Sequence, residues 1–295
     1  MSPIHRSGFV NIIGDPNVGK STLMNRLVGE RMSIINRKPQ TTRHRIIGIV
    51  NEDDYQIVFS DTPGHVESPQ YQLHKTMNSA MRQSFEDADL MLYMTTVHGK
   101  VEEVQAFFNR AKKMDAPLYL LINKCDLMDT LEVKAMMDQF QELSIFDQIH
   151  PISAQTGLGT EALMQQIISV LPESPPYYPK DQLTDKPERF FISEIIREKI
   201  MMQYKEEIPY CSEVAVETFR EKENLVEIYT VIYVMRESQK GILLGHEGKA
   251  MKRMATSARL DMEKWLDKKV YLDVTVKVNP GWRDNEGKLK KLGYG

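Results

Sequence analysis

Residues 14–22 read GDPNVGKST, which matches G-x-x-x-x-G-K-[ST] at every fixed position. The apolar stretch SGFVNIIG (7–14) predicts a strand before the loop, and helical spacing from Lys20 to about Gly29 predicts a helix after it. In this context successive backbone amides and the helix N-terminus form a concave anion cradle. The stretch therefore predicts a phosphate-binding loop in an α/β fold, and not merely a glycine turn.

The residues of this loop have separate expected tasks. Gly14 and Gly19 permit the tight backbone, because glycine adopts conformations that other residues avoid. Lys20 reaches the outer phosphates, and Ser21 offers its hydroxyl to Mg²⁺. The nucleotide is predicted to contact a continuous run of residues: Gly14, Asp15, Pro16, Asn17, Val18, Gly19, Lys20, Ser21 and Thr22.

A second motif, NKCD (123–126), follows an apolar strand and selects the base. Asp126 can accept two hydrogen bonds from the edge of guanine, whereas adenine offers no matching donors, and an unpaired buried carboxylate is costly. SAQTG (153–157), after the next predicted strand, completes the pocket through the amide of Ala154. The predicted base-pocket residues are Asn123, Lys124, Asp126, Leu127, Ser153, Ala154 and Gln155.

DTPG (61–64) ends another predicted strand and supplies the γ-phosphate end of the site. Asp61 is expected to bind Mg²⁺ through water, and the amide of Gly64 is expected to meet the γ-phosphate. The predicted nucleotide contacts of this segment are Asp61, Thr62, Pro63 and Gly64.

The polar stretch KPQTTRHR (38–45) is expected to complete the metal site. Either Thr41 or Thr42 can cap Mg²⁺, and we favour Thr42, which stands directly before Arg43. Taken alone, this stretch would be a solvated basic loop. The predicted metal ligands are Ser21, Thr42 and, through water, Asp61.

These motifs together predict hydrolysis of GTP by in-line attack of water on the γ-phosphate. The groups expected to lower the barrier are Lys20, Thr42 and Gly64, which act through charge and placement. No arginine finger is evident in the sequence, so slow intrinsic turnover is expected. Residues 36–45 and 61–75 are expected to become ordered with GTP and to be released on hydrolysis.

Composition bounds the class of protein. The 295 residues are enough for two domains, and 41% hydrophobic with 27% charged residues fits a soluble globular protein. Cys125 and Cys211 do not suggest a disulfide framework and fit a reducing cytoplasm. No apolar run approaches the roughly 18 residues of a membrane span, and the N-terminus lacks the apolar core of a signal peptide. We therefore expect a cytoplasmic protein.

The stretch PESPPYYPKDQLTD (172–185) is a candidate boundary, with four prolines in its first eight residues. Proline removes a backbone donor and disfavours helix before it, so we predict a linker. The predicted organisation is an α/β domain over 1–172, with a mostly parallel sheet and helices on both faces, a linker over 173–185, and a second domain over 186–295.

The second domain is predicted to run α-β-β-loop-α-β, with a hairpin around Glu221–Asn224 and a helix from Lys249 to about Leu266. Residues 240–295 hold 13 Lys and Arg against seven Asp and Glu. Charge of this kind usually solvates a surface, and it also permits a polyanionic partner.

GILLGHEGKAMKR (241–253) contains a second glycine loop. It is not another phosphate loop, since no predicted strand precedes it and no Ser or Thr follows Lys249. By itself the stretch is more typical of a helix–turn–helix corner than of a binding site. Lys249, Lys252 and Arg253 can nevertheless reach the phosphates of a nucleic acid.

Five motifs occur in a fixed order: GDPNVGKS, the threonine of QTTRHR, DTPG, NKCD and SAQTG. This set resembles the translation-factor-type GTPases. QTTRHRIIGI and the terminal VKVNPGW…LKKLGYG narrow the resemblance to the Era-type GTPases, over essentially the whole chain. That resemblance implies an α/β P-loop GTPase domain of the Ras-like type, followed by an α+β KH domain of type II.

The resemblance also implies ligands and partners. KH domains clamp an RNA backbone with a G-x-x-G loop, and the adjoining groove reads about four single-stranded bases. GTP, GDP and Mg²⁺ are the implied ligands; the 3′ region of 16S ribosomal RNA and the 30S subunit, whose maturation such proteins assist, are the implied partners. A monomer with peripheral association at the inner face of the cell membrane is implied as well. The RNA-binding residues carried over are Gly245, His246, Gly248, Lys249, Lys252 and Arg253.

Three positions need separate comment. Asn17 stands three residues before Lys20, as in related GTPases that hold K⁺ beside the phosphates; its alternatives are a K⁺ ligand and a residue that only stabilises the loop. His246-Glu247 replaces the usual basic pair of the G-x-x-G loop, so Glu247 either weakens the clamp or points away. His65 replaces the usual apolar residue after DTPG, and an exposed switch histidine is favoured over a residue that positions water.

Two rival functions fit parts of the sequence. One is a GTPase associated with the membrane or with cell division, whose second domain binds protein instead of RNA. Binding behaviour of residues 186–295 that does not depend on RNA would support it. The other is a GTPase of tRNA modification, which would need a one-carbon or flavin site that the sequence does not display.

Overall fold

The computed structural model describes residues 5–36, 38, 40–66, 68–110 and 116–294. Two compact units divide the chain. The first comprises Met1–Ser33, Thr42–Glu67 and Met77–Asp185, and the second comprises Ile34–Thr41, Ser68–Thr76 and Lys186–Gly295. Parts of both segments predicted to respond to GTP therefore group with the second unit.

The first unit is built on a six-stranded sheet in the order β2-β3-β1-β4-β5-β6. Four neighbouring pairs are parallel, and β2 runs antiparallel to β3 because only the short turn at 52–54 joins them. The strands are β1 (Arg6–Gly14), β2 (Ile46–Asn51), β3 (Tyr55–Asp61), β4 (Leu90–Thr96), β5 (Leu118–Asn123) and β6 (Gln148–Pro151).

Helices cover this sheet, so its central strands read as unbroken apolar runs. Every residue of β5 is buried, and Tyr93 of β4 packs with Phe140 in one core cluster. The helices are α1 (Lys20–Val28), α2 (Gln72–Glu86), α3 (Val101–Arg110), α4 (Thr130–Gln141) and α5 (Thr160–Val170).

The carboxyl ends of the parallel strands place the sequence motifs at one edge of the sheet. Gly14 ends β1, Asp61 ends β3, Asn123 ends β5, and Ser153 lies two residues beyond β6. In open α/β sheets this edge is where ligands bind. Four motifs that are far apart in the sequence are thus brought to one place by topology.

The second unit has a three-stranded sheet in the order β7-β8-β9, with β7 and β8 antiparallel and β8 and β9 parallel. Ile196, Met254 and Ile232 represent the apolar core that its helices form with the sheet. Its elements are α6 (Glu188–Gln203), α7 (Ile208–Cys211), β7 (Glu213–Glu221), β8 (Leu225–Val234), α8 (Glu237–Leu244), α9 (Lys249–Leu266), β9 (Lys269–Val278) and α10 (Glu286–Lys291).

The proline-rich segment 173–185 groups with the first unit, although the sequence predicted a linker. Leu183 O accepts a hydrogen bond from the amide of Ile49 (2.8 Å), and the hydroxyl of Thr184 donates to Ile47 O (2.6 Å). These contacts occupy polar groups of β2, an edge strand that would otherwise be open to pairing. The segment is ordered along β2, because its non-proline residues still supply the donors and acceptors that an edge strand needs.

None of the helices in the described residues combines the length and the apolar character that a bilayer span needs.

A candidate nucleotide site and a candidate nucleic-acid interface

The phosphate loop has a backbone that admits only glycine at two positions. Gly14 has φ 140°, and a Cβ there would lie 2.2 Å from the carbonyl oxygen of Met94. Gly19 has φ 108°, and its Cβ would lie 2.3 Å from Nδ2 of Asn123. Since no side chain caps the helix that starts at Lys20, its first amides are left for an anion.

Lys20 lies inside the loop. Its ammonium donates to the carbonyl oxygens of Gly14 and Asp15, both at 2.8 Å. Burial lowers the pKa of Lys20, and the nearby charges of Asp61 and Asp15 work in the opposite direction. A buried cation held by carbonyl oxygens is stabilised further when a phosphate group enters the loop.

Three oxygen-bearing side chains meet beside the loop. Asp61 Oδ2 accepts from the hydroxyl of Ser21 (2.7 Å) and from that of Thr42 (3.3 Å), and the two hydroxyls are 3.1 Å apart. Asp61 is fully buried, and its Oδ1 has no hydrogen-bond partner within the described part of the chain. Burial raises the pKa of Asp61, and the charge of Lys20 opposes that rise.

This oxygen cluster has the chemistry of a Mg²⁺ site. Hard divalent cations bind carboxylate and hydroxyl oxygens, and an unpaired buried carboxylate oxygen is stabilised by a cation. Of the two candidate threonines, Thr42 faces Ser21 and Asp61, whereas the hydroxyl of Thr41 donates to Lys38 O (2.6 Å). The residues present therefore fit the predicted metal.

The DTPG segment lies against the phosphate loop. The hydroxyl of Thr62 donates to Ile12 O (3.0 Å), which ties the segment to β1. A Cβ on Gly64 would approach Cγ of Pro16 to 3.2 Å, so the two backbones come close. His65, the next residue, is exposed.

Asn123 joins the phosphate loop to the loop 153–157, which completes the base pocket. Its amide donates to Val18 O (2.7 Å), and its carbonyl oxygen accepts from the amide of Ala154 (2.8 Å). Lys124 has φ 66°, and its ammonium donates to Asn17 O (3.2 Å). The motifs at 14–22, 123–126 and 153–157 are thus linked by side chains of a single motif.

The remaining predicted residues lie around this centre. Asp126 and Leu127 are exposed on the 3₁₀ turn at Cys125–Leu127, and Ser153 is buried. The predicted site residues that are exposed at the tip of the phosphate loop and in the loop 153–157 are Asp15, Pro16, Asn17 and Gln155.

Arg26 also belongs to this site, although none of the sequence motifs includes it. From the last turn of α1 its guanidinium donates to Ala154 O and to Gln155 O, both at 2.7 Å. It therefore fixes the backbone of the base loop. The chain offers no local signal for this role, because Arg26 and Ala154 are 128 positions apart.

The second glycine loop joins two helices of the other unit. Gly245 has φ 69° and Gly248 has φ 72°, and Glu247 between them also has a left-handed backbone, with φ 51°. A Cβ on Gly245 would lie 2.6 Å from Cβ of Ala250, whereas one on Gly248 would meet nothing within 4 Å. The backbone of this loop favours glycine by conformation at both positions, and at Gly245 the space beside Ala250 requires it as well.

The charged groups of this loop are open to solvent. The ammonium of Lys249 lies 2.8 Å from Oε2 of Glu247, and His246 Nδ1 lies 3.7 Å from the same oxygen. Lys252 and Arg253 are exposed in the first turns of α9. Glu247 is therefore turned toward Lys249 and offsets part of its positive charge.

Comparisons with known proteins agree over nearly the whole chain. A family model described as a 50S ribosome-binding GTPase matches residues 9–124, and a KH domain model matches residues 207–283. The chain is similar to GTPase ERA1, chloroplastic, of Zea mays (43% identity; 99% of this chain and 71% of that protein). It is also similar to GTPase Era of Coxiella burnetii strain CbuG_Q212 (42% identity; 97% of each chain).

Two solved structures resemble the chain closely, each with a TM-score of 0.93 and 36% sequence identity. One is a single-residue variant of Aquifex aeolicus Era bound to GDP·AlF4⁻, with 98% of this chain and 99% of that chain covered. The other is Era in complex with MgGDPNP and nucleotides 1506–1542 of 16S ribosomal RNA, with 99% of both chains covered. The predicted order of an α/β P-loop domain and a KH domain is confirmed by these matches.

Proposed function

The chain belongs to the Era family of GTPases. We propose that it is a GTP-hydrolysing switch. In this proposal it binds the 3′ region of 16S ribosomal RNA and assists assembly of the small ribosomal subunit. One observation carries the RNA half: the chain has a G-x-x-G loop at the start of a basic helix, and an Era relative matching 99% of it is bound to nucleotides 1506–1542 of that RNA.

The P-loop and the DTPG segment bind the phosphates of GTP in this proposal. Lys20 reaches the β- and γ-phosphates, and the amides at Gly19 and Gly64 donate to their oxygens. Support comes from the backbone of the loop, which excludes side chains at its glycines, and from the close approach of Gly64 to Pro16. Donors held at fixed positions stabilise developing charge without the cost of reorganising them during the reaction.

Mg²⁺ is the proposed metal, held directly by Ser21 and Thr42 and through water by Asp61. The bound ion supplies positive charge against the phosphate oxygens. The unpaired oxygen of Asp61 and the clustered hydroxyls support this assignment.

Hydrolysis is proposed to proceed by in-line attack of water on the γ-phosphate, giving GDP and phosphate. Lys20 and the amide of Gly64 stabilise the charge on the transferred group, and the backbone of Thr42 helps to place the attacking water. Slow turnover without a partner is part of the proposal, since none of the sequence motifs supplies an arginine finger. His65 is not assigned a catalytic role.

Guanine is selected by Asp126 in this proposal. Its carboxylate accepts two hydrogen bonds from the base, and Lys124 lies along the base plane. Asn123 and Arg26 support this contact indirectly, because their side chains hold the loops at 123–126 and 153–157 in place. A K⁺ ion beside Asn17 is the finer part of the proposal, supported by the exposure of that side chain next to the phosphate loop.

RNA binds at the loop 245–248 and the helix after it. The two glycines let an RNA backbone approach closely, and Lys249, Lys252 and Arg253 meet its phosphates. His246 lies at the tip of the loop, where it can contact the same strand.

Binding of RNA and hydrolysis of GTP test the proposal together. The whole chain is titrated with a single strand of 37 nucleotides that corresponds to nucleotides 1506–1542 of 16S ribosomal RNA, and with a scrambled strand of equal length. Sub-micromolar binding to the first and weaker binding to the second are expected, with release of phosphate from GTP and none from ATP. Equal binding of both strands, or binding of neither, contradicts the assignment of this RNA.

A further inference from the structure

The C-terminal end of α6 holds both flanks of the G-x-x-G loop. The hydroxyl of Tyr204, the residue that ends this helix, donates to Leu243 O (2.7 Å), and both groups are buried. The side-chain amide of Gln203 donates to Ala250 O (2.7 Å). Leu243 stands two residues before Gly245, and Ala250 stands two residues after Gly248. One helix end thus fixes the spacing between α8 and α9, the two helices that the loop connects.

Lys38 holds the same helix end from another part of the chain. Its ammonium donates to the carbonyl oxygens of Met201 and Tyr204. Carbonyls in the last turn of a helix have no partner inside the helix, and a cation placed there also interacts favourably with the helix dipole. Lys38 therefore satisfies the main-chain carbonyl of Tyr204, while the hydroxyl of Tyr204 holds the main-chain carbonyl of Leu243.

Lys38 stands four residues before Thr42, which lies beside Ser21 and Asp61. The short segment between them is held at a second point, because buried Arg197 donates to the carbonyl oxygen of Thr41. Arg197 is itself paired with Glu194 at 2.7 Å. Because only three residues separate Thr42 from Lys38, a displacement of Thr42 is expected to move Lys38 as well.

We infer that Gln203 and Tyr204 are positioning residues for the RNA-binding loop, and that Lys38 ties their position to the nucleotide-binding segment that ends at Thr42. This inference rests on the proposed function and adds the side chains through which its two halves communicate. When GTP draws Thr42 to the metal site, Lys38 is held on the end of α6, and the loop keeps the spacing that RNA requires. RNA must then strengthen binding of GTP by the same factor, since coupling is reciprocal.

The test measures affinity of the full-length protein for the 3′ RNA strand with a non-hydrolysable GTP analogue and with GDP. For the wild type, tighter binding is expected with the analogue. Lys38→Met should bring the ratio of the two affinities close to one, and Lys38→Arg, which retains donors, should restore it. Lys205→Met is the matched control, since it removes an equal charge from an exposed lysine next to Tyr204. Burial, and after it the charge of Lys205, lowers the pKa of Lys38, so this control should leave the ratio at or above that of the wild type.

Tyr204→Phe keeps the buried ring and removes only the hydroxyl. It should weaken RNA binding about three- to tenfold with either nucleotide, as expected for one buried hydrogen bond. Hydrolysis of GTP without RNA should match the wild type for Tyr204→Phe, and circular dichroism at the assay temperature should show both variants folded, which separates positioning from damage to the fold.

The outcomes separate this inference from the proposed function. Failure of the wild type to bind the strand with any nucleotide overturns the proposed function. Wild-type binding with equal affinities in analogue and GDP, or a Lys38→Met protein that keeps the wild-type ratio, overturns the role of Lys38. Unchanged RNA affinity in Tyr204→Phe overturns the positioning role of Tyr204.

Discussion

The side-chain amide of Asn123 donates to the main-chain carbonyl of Val18 at 2.7 Å, and this contact ties the loop that selects the base to the loop that binds phosphate. The same side chain accepts from Ala154, so three segments depend on one residue. A single pocket for base and phosphates therefore depends on the hydrogen bonds of one side chain to the backbone of two other loops.

Removal of this amide should weaken nucleotide binding. Asn123→Ala leaves Val18 O and the amide of Ala154 without partners, and a loss of about 2 kcal/mol, or roughly 30-fold in affinity for GDP, is expected. Calorimetric titration with GDP measures it. Asn285→Ala is the matched control, since Asn285 accepts from the amide of Lys288 in the other unit and should not change this affinity. Wild-type affinity in Asn123→Ala would show that the two loops do not need the bridge.

The base contact predicts a change of substrate. Asp126→Asn replaces one carboxylate oxygen, which only accepts, with an NH₂ group, which donates, so binding of GTP should fall by on the order of 100-fold while binding of xanthosine triphosphate improves. Competition between the two nucleotides gives the preference. Asp129→Asn alters the carboxylate that caps α4 three residues later and should keep the preference for guanine. An Asp126→Asn protein that still prefers GTP would disprove the assignment.

The two neighbouring threonines should behave differently. Thr42→Ala removes the hydroxyl beside Ser21 and Asp61, so hydrolysis should slow about tenfold or more and should need more Mg²⁺. Thr41→Ala removes a hydroxyl that donates to Lys38 O and should leave the dependence on Mg²⁺ unchanged. Rates of phosphate release across a Mg²⁺ titration distinguish the two. A larger shift for Thr41→Ala would reverse the assignment.

The sequence predicts those parts of the site whose residues depend on near neighbours in the chain, and it does not predict residues whose partners are far away in the sequence. The phosphate loop and the base loop are recognisable because each needs particular residues at fixed local spacing, as the backbone of Gly14 shows. Arg26 and Lys38 act on partners more than 100 positions away, so no local pattern identifies them. The short helix α10 was not predicted for a related reason: Trp282, fully buried with its indole donating to Cys211 O (3.0 Å), orders the chain before α10 by a tertiary contact.

A monovalent cation beside Asn17 should reveal itself in the salt used. Hydrolysis should be about tenfold faster in potassium than in sodium, which corresponds to about 1.4 kcal/mol of barrier. Asn17 has φ 64°, a conformation that glycine also adopts freely, so Asn17→Gly removes the side chain and keeps the backbone. The substitution should erase the difference between the salts. Equal rates in both salts for the wild type would rule out the cation and leave Asn17 as a loop residue.

The salt dependence of RNA binding should report on Glu247. This residue holds the ammonium of Lys249 at 2.8 Å, so Glu247→Lys both removes a repelling charge and frees a neighbouring cation. Binding of the 3′ strand should tighten, and the slope of log affinity against log salt should steepen by about 0.7 for each further phosphate that the protein neutralises. Glu223→Lys makes the same charge change in the turn between β7 and β8 and should have less effect. Identical slopes for Glu247→Lys and the wild type would place the RNA backbone away from this loop.

The glycines of the loop provide the sharpest test of RNA binding. Gly248→Asp places a carboxylate where the backbone of RNA is expected, while its Cβ meets nothing within 4 Å in the protein, so the fold should survive and RNA affinity should fall at least about tenfold. Gly248→Asn is the matched control, because asparagine has almost the same volume, carries no charge and tolerates the positive φ of 72°. It should bind RNA better than the aspartate variant and worse than the wild type. Gly245→Ala should weaken RNA binding and should also lower the free energy of unfolding, since its Cβ would lie 2.6 Å from that of Ala250. Thermal unfolding and RNA titration of all three variants separate the two effects, and wild-type RNA affinity in a folded Gly248→Asp protein would make the loop a structural corner.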